Sequence, residues 1–267
     1  FAAAEARGRH GVVLLGDPGS GKTTHLKRVL LKVLREGPES LGLAPGTVPV
    51  FLPLRDLRDL DSALDAFIEA QLDHPHLRMH EGFGRRLLGR GNLLFLLDGL
   101  DEVADDAERG RVARWIDAAV EAHSGCRFLV SCRFAGYSDQ VRLSDRFLEM
   151  HLRPLTSEQA ETFVQNWYRI VETGLAAGAA EQAAEVAKTN AKALVDRLRE
   201  PDFRTRRVFA LTRNPLLLAN LCLVHRDRGE LPRQRAKLYG ECVDVLLESW
   251  RASKRLASSV TADDGRR

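Results

Sequence analysis

Short apolar runs alternate with longer amphipathic segments over residues 1–152 of the chain. The runs predict strands, and the segments with apolar positions at helical spacing predict helices. The predicted strands are Val12–Leu15, Val50–Leu54, Leu93–Leu97, Arg127–Ser131 and a short one near Phe147–Leu152. The predicted helices are Thr23–Leu34, Ser62–Leu72, Phe83–Gly89 and Ala107–Ala122. Strands that alternate with helices indicate an α/β fold, with a mostly parallel five-stranded sheet between two helical layers.

The pattern changes after Arg153-Pro154-Leu155-Thr156, because only helical signals follow as far as Ser253. Thr156 is a predicted N-cap for the first of these helices. The segment Gly174–Val195 is rich in alanine and is therefore predicted to be helical. Because its side chains are small, we expect no functional site there. The polar tail Ala257–Arg267 is expected to be disordered or to begin a further domain. We therefore expect an α/β domain at 1–152, a small helical domain at 153–253 and a tail at 254–267.

The charge, the apolar runs and the cysteines of the chain indicate which kinds of partner and which compartment to expect. The net charge of +3 comes from 40 basic and 37 acidic side chains, and this balance gives no signal for nucleic acid or a membrane surface. No apolar run approaches the roughly 20 residues that span a bilayer, and no signal peptide is visible. The four cysteines lack C-x-x-C spacing and are expected to be buried free thiols of a cytoplasmic protein. The excess of arginine over lysine is associated with a GC-rich bacterial source.

The loop after the first predicted strand carries the clearest chemical pattern. Residues 16–24 read GDPGSGKTT, which fits G-x-x-x-x-G-K-[ST]. Glycines in such a loop let backbone N–H groups turn toward a β-phosphate, the lysine reaches the β- and γ-phosphates, and the next hydroxyl ligates Mg²⁺. The dipole of the following helix favours the same phosphates. The predicted phosphate-binding residues are Gly16, Asp17, Pro18, Gly19, Ser20, Gly21, Lys22, Thr23 and Thr24, with Thr23 also a metal ligand.

A cluster of acids follows the apolar run LLFLL of residues 93–97. A carboxylate at the carboxyl end of a buried strand beside a phosphate loop is placed to hold Mg²⁺, so Asp98 is a predicted metal ligand. Asp101 and Glu102 follow where a group that orients the attacking water would lie. Three acids beside bound phosphates would repel a nucleotide unless a cation were present, so the cluster itself indicates Mg²⁺.

A basic residue follows the predicted strand Arg127–Ser131. Arg133 would emerge at the same carboxyl edge of the sheet as the phosphate loop. A guanidinium at that place can contact a γ-phosphate and report whether it is present. We therefore expect Arg133 to take part in catalysis.

Five stretches of the chain, taken in order, resemble the NACHT branch of the signal-transducing P-loop ATPases. The stretches are GDPGSGKTT, VPVFLPLRDL, LLFLLDGLDEV, FLVSCR, and the long segment from NPLLL through RGELP to residue 247. A small residue after the first aspartate, with further acids two positions on, distinguishes this branch from its relatives. The resemblance implies an ATP/ADP switch with slow Mg²⁺-dependent hydrolysis.

The resemblance also implies that Pro215, in the helical domain, meets the adenine or ribose side of the nucleotide. It places Asp101 slightly ahead of Glu102 as the group that orients water. It further implies a homo-oligomer on activation and a role in bacterial immune or signalling proteins. The family's winged-helix, effector and sensor domains have no counterpart in this sequence, so we expect the chain to be the core of a larger protein.

Three other functions are considered. A nucleotide-binding module without significant hydrolysis would share every residue of the phosphate loop. A GTPase is disfavoured, because no N-K-x-D motif for guanine occurs in the chain. A P-loop kinase would need an acceptor pocket and an arginine-rich lid, for which Arg55, Arg58 and the Arg85-Arg86 pair are the candidates.

Overall fold

The computed structural model describes residues 1–57, 60, 64, 66–68, 82–176, 180–205, 207–232 and 234–254. The chain divides into two compact units, Phe1–Arg153 and Pro154–Arg267. Most of the predicted helix Ser62–Leu72, and all of the predicted tail Ala257–Arg267, lie outside the described residues.

The first unit is built on one parallel sheet, as the sequence predicts. Its strands are β1 (Gly11–Leu15), β2 (Val48–Pro53), β3 (Leu93–Asp98), β4 (Arg127–Cys132) and β5 (Phe147–His151). They lie in the order β2-β3-β4-β1-β5, and each neighbouring pair is parallel. Because β1, β3 and β4 are the three inner strands, the segments that follow them leave the same edge of the sheet near its middle.

Helices and short 3₁₀ turns precede or connect these strands in the described residues. The helices are α1 (Ala2–Glu5), α2 (Lys22–Glu36), α3 (Phe83–Gly89) and α4 (Asp106–Ala122). The 3₁₀ turns are Pro38–Leu41, Leu54–Asp56, Leu100–Glu102 and Phe134–Gly136. Two of the helices have clear boundaries in the sequence: α2 ends at Gly37, where φ is 84°, and α4 begins after Asp105, whose carboxylate accepts a hydrogen bond from the Glu108 amide at 2.8 Å.

Alternating side chains give the sheet two buried faces. Val12 and Leu14 of β1 pack in the same cluster as Leu26 of α2, whereas Val13 and Leu15 pack in the cluster that contains Ile116 of α4. On β3, Leu94 and Leu96 belong to the α2 side. Since side chains alternate along a strand, Asp98 comes next on that side, beneath the start of α2.

One edge of the sheet is formed by β2, which pairs with β3 and with no other strand of the described residues. This strand contains two prolines, Pro49 and Pro53, four positions apart. Its side chains are less buried than those of β1 and β3, and Val48 is 45% exposed. The strand is therefore an edge strand both by position and by composition.

The second unit is helical throughout its described residues. Its helices are α5 (Ser157–Leu175), α6 (Ala180–Arg199), α7 (Pro201–Arg204), α8 (Pro215–Arg228) and α9 (Arg235–Lys254), with a 3₁₀ segment at Arg207–Arg213. Thr156 and Gln159 form a reciprocal capping box at the start of α5. The alanine-rich segment lies partly in α5 and partly in α6, where Ala187 and Ala191 are buried in the core of this unit.

A buried polar pair lies inside the second unit. The Tyr168 hydroxyl is 2.6 Å from His225 Nδ1 and donates to the Cys222 carbonyl at 3.3 Å. Burial lowers the pKa of His225, so the imidazole is held in its neutral form.

Candidate functional site

The loop between β1 and α2 has the backbone conformation that its glycines permit. Gly19 and Gly21 have φ values of 75° and 93°, a region that favours glycine. A Cβ at Gly16 would lie 2.6 Å from Ser20 Oγ and 3.2 Å from Leu152 Cβ, so the loop packs closely against this glycine. Gly21 is the N-cap of α2, and the first turn of this helix therefore directs its amide groups into the loop.

Lys22 lies across this loop. Its Nζ donates to the carbonyl oxygens of Gly16 at 2.8 Å and of Asp17 at 3.1 Å. Partial burial lowers the pKa of Lys22, while the nearby Asp101 carboxylate acts in the opposite direction. Ser20 Oγ is buried and has no hydrogen-bond partner among the described residues. The loop thus holds a cation and an unsatisfied buried hydroxyl, both of which suit a phosphate oxygen.

Two hydroxyl groups meet the carboxylate at the end of β3. Thr23 Oγ1 donates to Asp98 Oδ1 at 3.1 Å, and Ser131 Oγ donates to the same oxygen at 2.6 Å. Asp98 is 8% exposed. The structure therefore brings together the two residues that the sequence predicts as metal ligands. Hydroxyl and carboxylate oxygens are the ligands that Mg²⁺ prefers, so this pair fits the cation.

Asp101 and Arg133 form a close pair at the ends of β3 and β4. Arg133 Nε lies 2.8 Å from Asp101 Oδ2, and the Arg133 backbone amide donates to Oδ1 at 2.9 Å. The Asp101 side chain is only 8% exposed. A Cβ at Gly136 would lie 2.6 Å from Asp101 Cβ, so the two backbone turns approach closely. Asp101 thus binds both the side chain and the backbone of Arg133.

Glu102 forms a separate ion pair with Arg55, which follows β2. Arg55 Nη1 donates to Glu102 Oε2 at 2.9 Å, and Glu102 is the less exposed partner at 34%. The Glu102 side chain folds back over Gly99, where a Cβ would lie 2.9 Å from Glu102 Cδ. Gly99 has a φ of 79°, so both its conformation and its lack of a side chain permit this position of the carboxylate.

The cysteine beside these groups stays a thiol. Burial, and to a lesser extent the Asp101 carboxylate, raises the pKa of Cys132 to about 12. The four cysteines are all buried and free, as predicted. Over the described part of the chain, histidine, cysteine and acidic residues form no group of three or more able to hold a metal ion. A transition-metal site is therefore not indicated there.

Pro215 belongs to the second unit and is described within it. It is the first residue of α8, and the Asn214 side chain caps this helix by accepting hydrogen bonds from the amides of Leu216 at 3.1 Å and Leu217 at 3.3 Å. Proline at this position suits the helix start because its missing N–H would have no helical partner.

The residues proposed for a kinase have other surroundings. Arg55 is paired with Glu102, Arg85 and Arg86 lie in α3, and Arg58 lies outside the described residues. Sequence reasoning missed the hydroxyl of Ser131 and the pairing of Asp101 and Glu102 with arginines. A polar residue inside the apolar run FLVSC was the available signal for Ser131. Among the described helices, none has the length and apolar character needed to cross a membrane.

Comparison with solved structures gives distant similarities. The chain is similar to the ORC1 protein of Aeropyrum pernix in complex with DNA, with 19% identity and a TM-score of 0.38 over 98% of this chain and 78% of that one. Domain III of the Thermotoga maritima replication initiation protein DnaA is 15% identical, with a TM-score of 0.39 over 92% of this chain and 88% of that one. The ADP form of the Aeropyrum pernix ORC2 protein is 16% identical, with a TM-score of 0.44 over 90% of this chain and 66% of that one.

Comparison of the sequence with known families is more specific. No curated protein sequence gives a significant match. The NACHT domain model, however, matches residues 10–170. That range holds the phosphate loop, Asp98 and Arg133, and it is more than half of the chain. The chain therefore belongs to the NACHT family of P-loop NTPases.

Proposed function

We propose that this chain binds ATP and ADP with Mg²⁺ and hydrolyses ATP slowly, as the switch of a larger protein. The observation that carries the proposal is the convergence of Thr23 Oγ1 and Asp98 Oδ1, 3.1 Å apart, beside a glycine loop that holds Lys22. Family membership supports nucleotide binding. In this proposal residues 16–24 hold the phosphates, and Lys22 contacts the β- and γ-phosphates.

Thr23 and Asp98 would hold Mg²⁺, Asp98 directly or through water. When bound, the cation supplies positive charge against the phosphate oxygens and helps to orient them. Asp98 is buried and receives two hydroxyl hydrogen bonds, so its position is fixed before any ligand arrives. Lys22 adds the second positive charge of the site.

In hydrolysis, a water molecule attacks the γ-phosphorus in line, and the bond to the β–γ bridging oxygen breaks to release phosphate and leave ADP. We assign the orientation of this water to Glu102 rather than to Asp101. Both oxygens of Asp101 bind Arg133, and this carboxylate is nearly inaccessible. Glu102 is more exposed, and Gly99, which has no side chain, leaves room for its carboxylate over the turn that follows β3. Arg133, held by Asp101, would contact the γ-phosphate.

A second candidate is nucleotide binding without significant hydrolysis. The observation that favours it is that each acid after Asp98 is already paired with an arginine, Asp101 with Arg133 and Glu102 with Arg55. A carboxylate whose oxygens already accept hydrogen bonds from a guanidinium has fewer lone pairs with which to orient water. If the Arg55–Glu102 pair opens when nucleotide binds, Glu102 is released to orient water and hydrolysis is slow. If the pair stays closed, hydrolysis is absent.

The switch itself is proposed from family membership and from the division into two compact units. We assign 1–152 to the nucleotide-binding domain, 153–253 to a helical lid and 254–267 to a tail or to the start of another domain. In this scheme Pro215 contacts the adenine or ribose, and exchange of ADP for ATP controls assembly of identical chains. The effector and sensor domains of the same protein would be its further partners, in immune or anti-phage signalling.

The test begins with the nucleotide that is released when purified protein is denatured, followed by ATP and GTP binding side by side. Lys22→Ala should abolish binding without loss of the fold. Lys32→Ala is the matched control, since Lys32 lies on the same helix and, within the described part of the chain, forms an ion pair with Glu36 at 3.8 Å. If Lys22→Ala melts like the parent and binds ATP equally well, the phosphate-loop assignment is wrong.

The acids are separated by a second set of variants. Asp98→Asn should weaken Mg²⁺-dependent binding, whereas Glu102→Gln should leave binding intact and slow phosphate release without an added acceptor. Phosphate release from ATP at a rate unaffected by Glu102→Gln would contradict the assignment of the water to Glu102. No phosphate release by the parent chain would favour the second candidate.

A further inference from the structure

We propose that Ser131 is a positioning residue that holds the Asp98 carboxylate for Mg²⁺ and so sets how tightly the cation binds with its nucleotide. This role rests on the proposed function, because it requires a magnesium–nucleotide complex beside Asp98. It assigns to a strand residue outside the phosphate loop an influence, through Asp98, on the metal affinity of the site.

The hydroxyl of Ser131 has two partners and one hydrogen. The Gly99 amide donates to Ser131 Oγ at 2.8 Å, and Ser131 Oγ lies 2.6 Å from Asp98 Oδ1. An amide N–H can only donate, so the hydroxyl accepts at that contact and its hydrogen is committed to the carboxylate. Ser131 is 1% exposed, which excludes water as a competing partner. The Asp98 side chain is therefore tied to the backbone of the residue that follows it.

Strand geometry explains why this tie is needed. The ladder between β3 and β4 extends to Leu97 and Val130, so Asp98 and Ser131 are the next residues on the two strands. Beyond this point β4 continues along β1 as far as Cys132, opposite Leu15. In contrast, β3 ends, and the chain turns at Gly99 with a φ of 79°. The serine side chain bridges the two strands where their backbone pairing stops.

A serine without hydrogen-bond partners would destabilise the fold at this position. It follows Leu129 and Val130 in a buried strand, where apolar β-branched residues are favoured and an unpaired hydroxyl is unfavourable. Thr23 also donates to Asp98 Oδ1, but from α2, and at the longer distance of 3.1 Å. Ser131 therefore makes the shorter contact to the carboxylate, and it does so from the sheet. Partners that orient a metal ligand typically change metal affinity when they are removed.

The experiment measures ADP binding to the full chain over a range of Mg²⁺ concentrations and in EDTA. Ser131→Ala should raise the Mg²⁺ concentration for half-maximal binding by about 10- to 100-fold and leave binding in EDTA unchanged. Ser131→Thr, which restores a hydroxyl, should return the Mg²⁺ dependence toward that of the parent. Thr47→Val is the matched control: Thr47 is 8% exposed and donates to the Ala44 carbonyl at 2.6 Å, outside the loops of the site.

The double variant Ser131→Ala with Asp98→Asn tests whether the serine acts through Asp98. Loss of the hydroxyl should add no further shift once the carboxylate is an amide, and an additive shift would overturn the proposal. If Ser131→Ala unfolds, Ser131→Cys keeps a side chain of similar size with a weaker donor and should shift the Mg²⁺ dependence in the same direction. If the parent shows Mg²⁺-dependent binding and Ser131→Ala titrates identically, the positioning role alone is wrong. If the parent binds no nucleotide, the proposed function fails first.

Discussion

Replacement of Gly99 by alanine tests the assignment of the catalytic water to Glu102. Gly99 has a φ of 79°, and a Cβ there would lie 2.9 Å from Glu102 Cδ and 3.1 Å from Oε2. The backbone of this turn is tied to Ser131, so the flexible Glu102 side chain is the part that must move. Gly99→Ala should therefore displace the carboxylate and leave the phosphate loop in place.

The expected magnitudes separate stability from catalysis. A residue other than glycine in the left-handed region costs about 1–2 kcal/mol. Loss of the Arg55–Glu102 pair adds at most about 1 kcal/mol, because the two side chains are 60% and 34% exposed. Displacement of a catalytic group by about 1 Å can lower a rate about 100-fold, equivalent to about 2.7 kcal/mol in the barrier. The effect on phosphate release should thus exceed the part of the stability loss that comes from the Arg55–Glu102 pair, and the part that comes from backbone strain can be matched by a control.

Gly46→Ala is the matched control for this experiment. Gly46 has a φ of 76°, and a Cβ there would meet nothing within 4 Å. Both variants bear the same backbone strain, so their free energies of unfolding in denaturant should differ by no more than the ion pair contributes, about 1 kcal/mol. Only Gly99→Ala should slow phosphate release, with ADP affinity near that of the parent. If Gly99→Ala releases phosphate at the rate of Gly46→Ala, Glu102 does not orient the water and the reasoning is refuted.

Three further outcomes are expected. Arg133→Ala should weaken ATP binding relative to ADP binding, whereas Pro215→Ala should weaken the binding of both nucleotides alike. Measured affinities for the two nucleotides test this, and an unchanged ratio of ATP affinity to ADP affinity in Arg133→Ala would contradict its role as a sensor. The second unit should lose stability as pH falls below about 6.5, because the unfolded state protonates His225 before the folded state does. Denaturant unfolding at pH 7.5 and 5.5 tests this, and His225→Phe should reduce the difference in unfolding free energy between the two pH values. Thr156→Ala should cost about 1 kcal/mol by removing the capping box, and an unchanged unfolding midpoint would contradict the role of the cap.

Local signals in the sequence predict much of this fold. The run LLFLL becomes the buried strand β3 because no polar side chain interrupts it, and the helix after the phosphate loop ends where Gly37 takes a φ of 84°. Asp98 could be placed beside Thr23, because strand ends of a parallel sheet share one edge. These features depend on residues close together in the chain or on a general property of parallel sheets.

The remaining features depend on which side chains meet across the sheet. Pairing of Asp101 with Arg133 and of Glu102 with Arg55 depends on the strand order and on the directions of all four side chains. Spacing along the chain specifies neither of these. The resemblance to relatives placed Asp101 slightly ahead of Glu102, whereas the contacts around each carboxylate lead us to propose Glu102. The alanine-rich segment likewise gave no sign of where α5 would end and α6 begin.

The two prolines of β2 affect whether strands of other molecules can pair with this edge of the sheet. A strand that is paired on one side directs alternate amides toward its partner and away from it. A proline directed toward β3 would interrupt the ladder, so Pro49 and Pro53 belong, with Phe51 between them, to the set that points outward. Along this stretch only Phe51 retains a hydrogen to donate to an approaching strand. The border is therefore a poor template for cross-β growth, which disfavours aggregation of the folded domain through this side of the sheet.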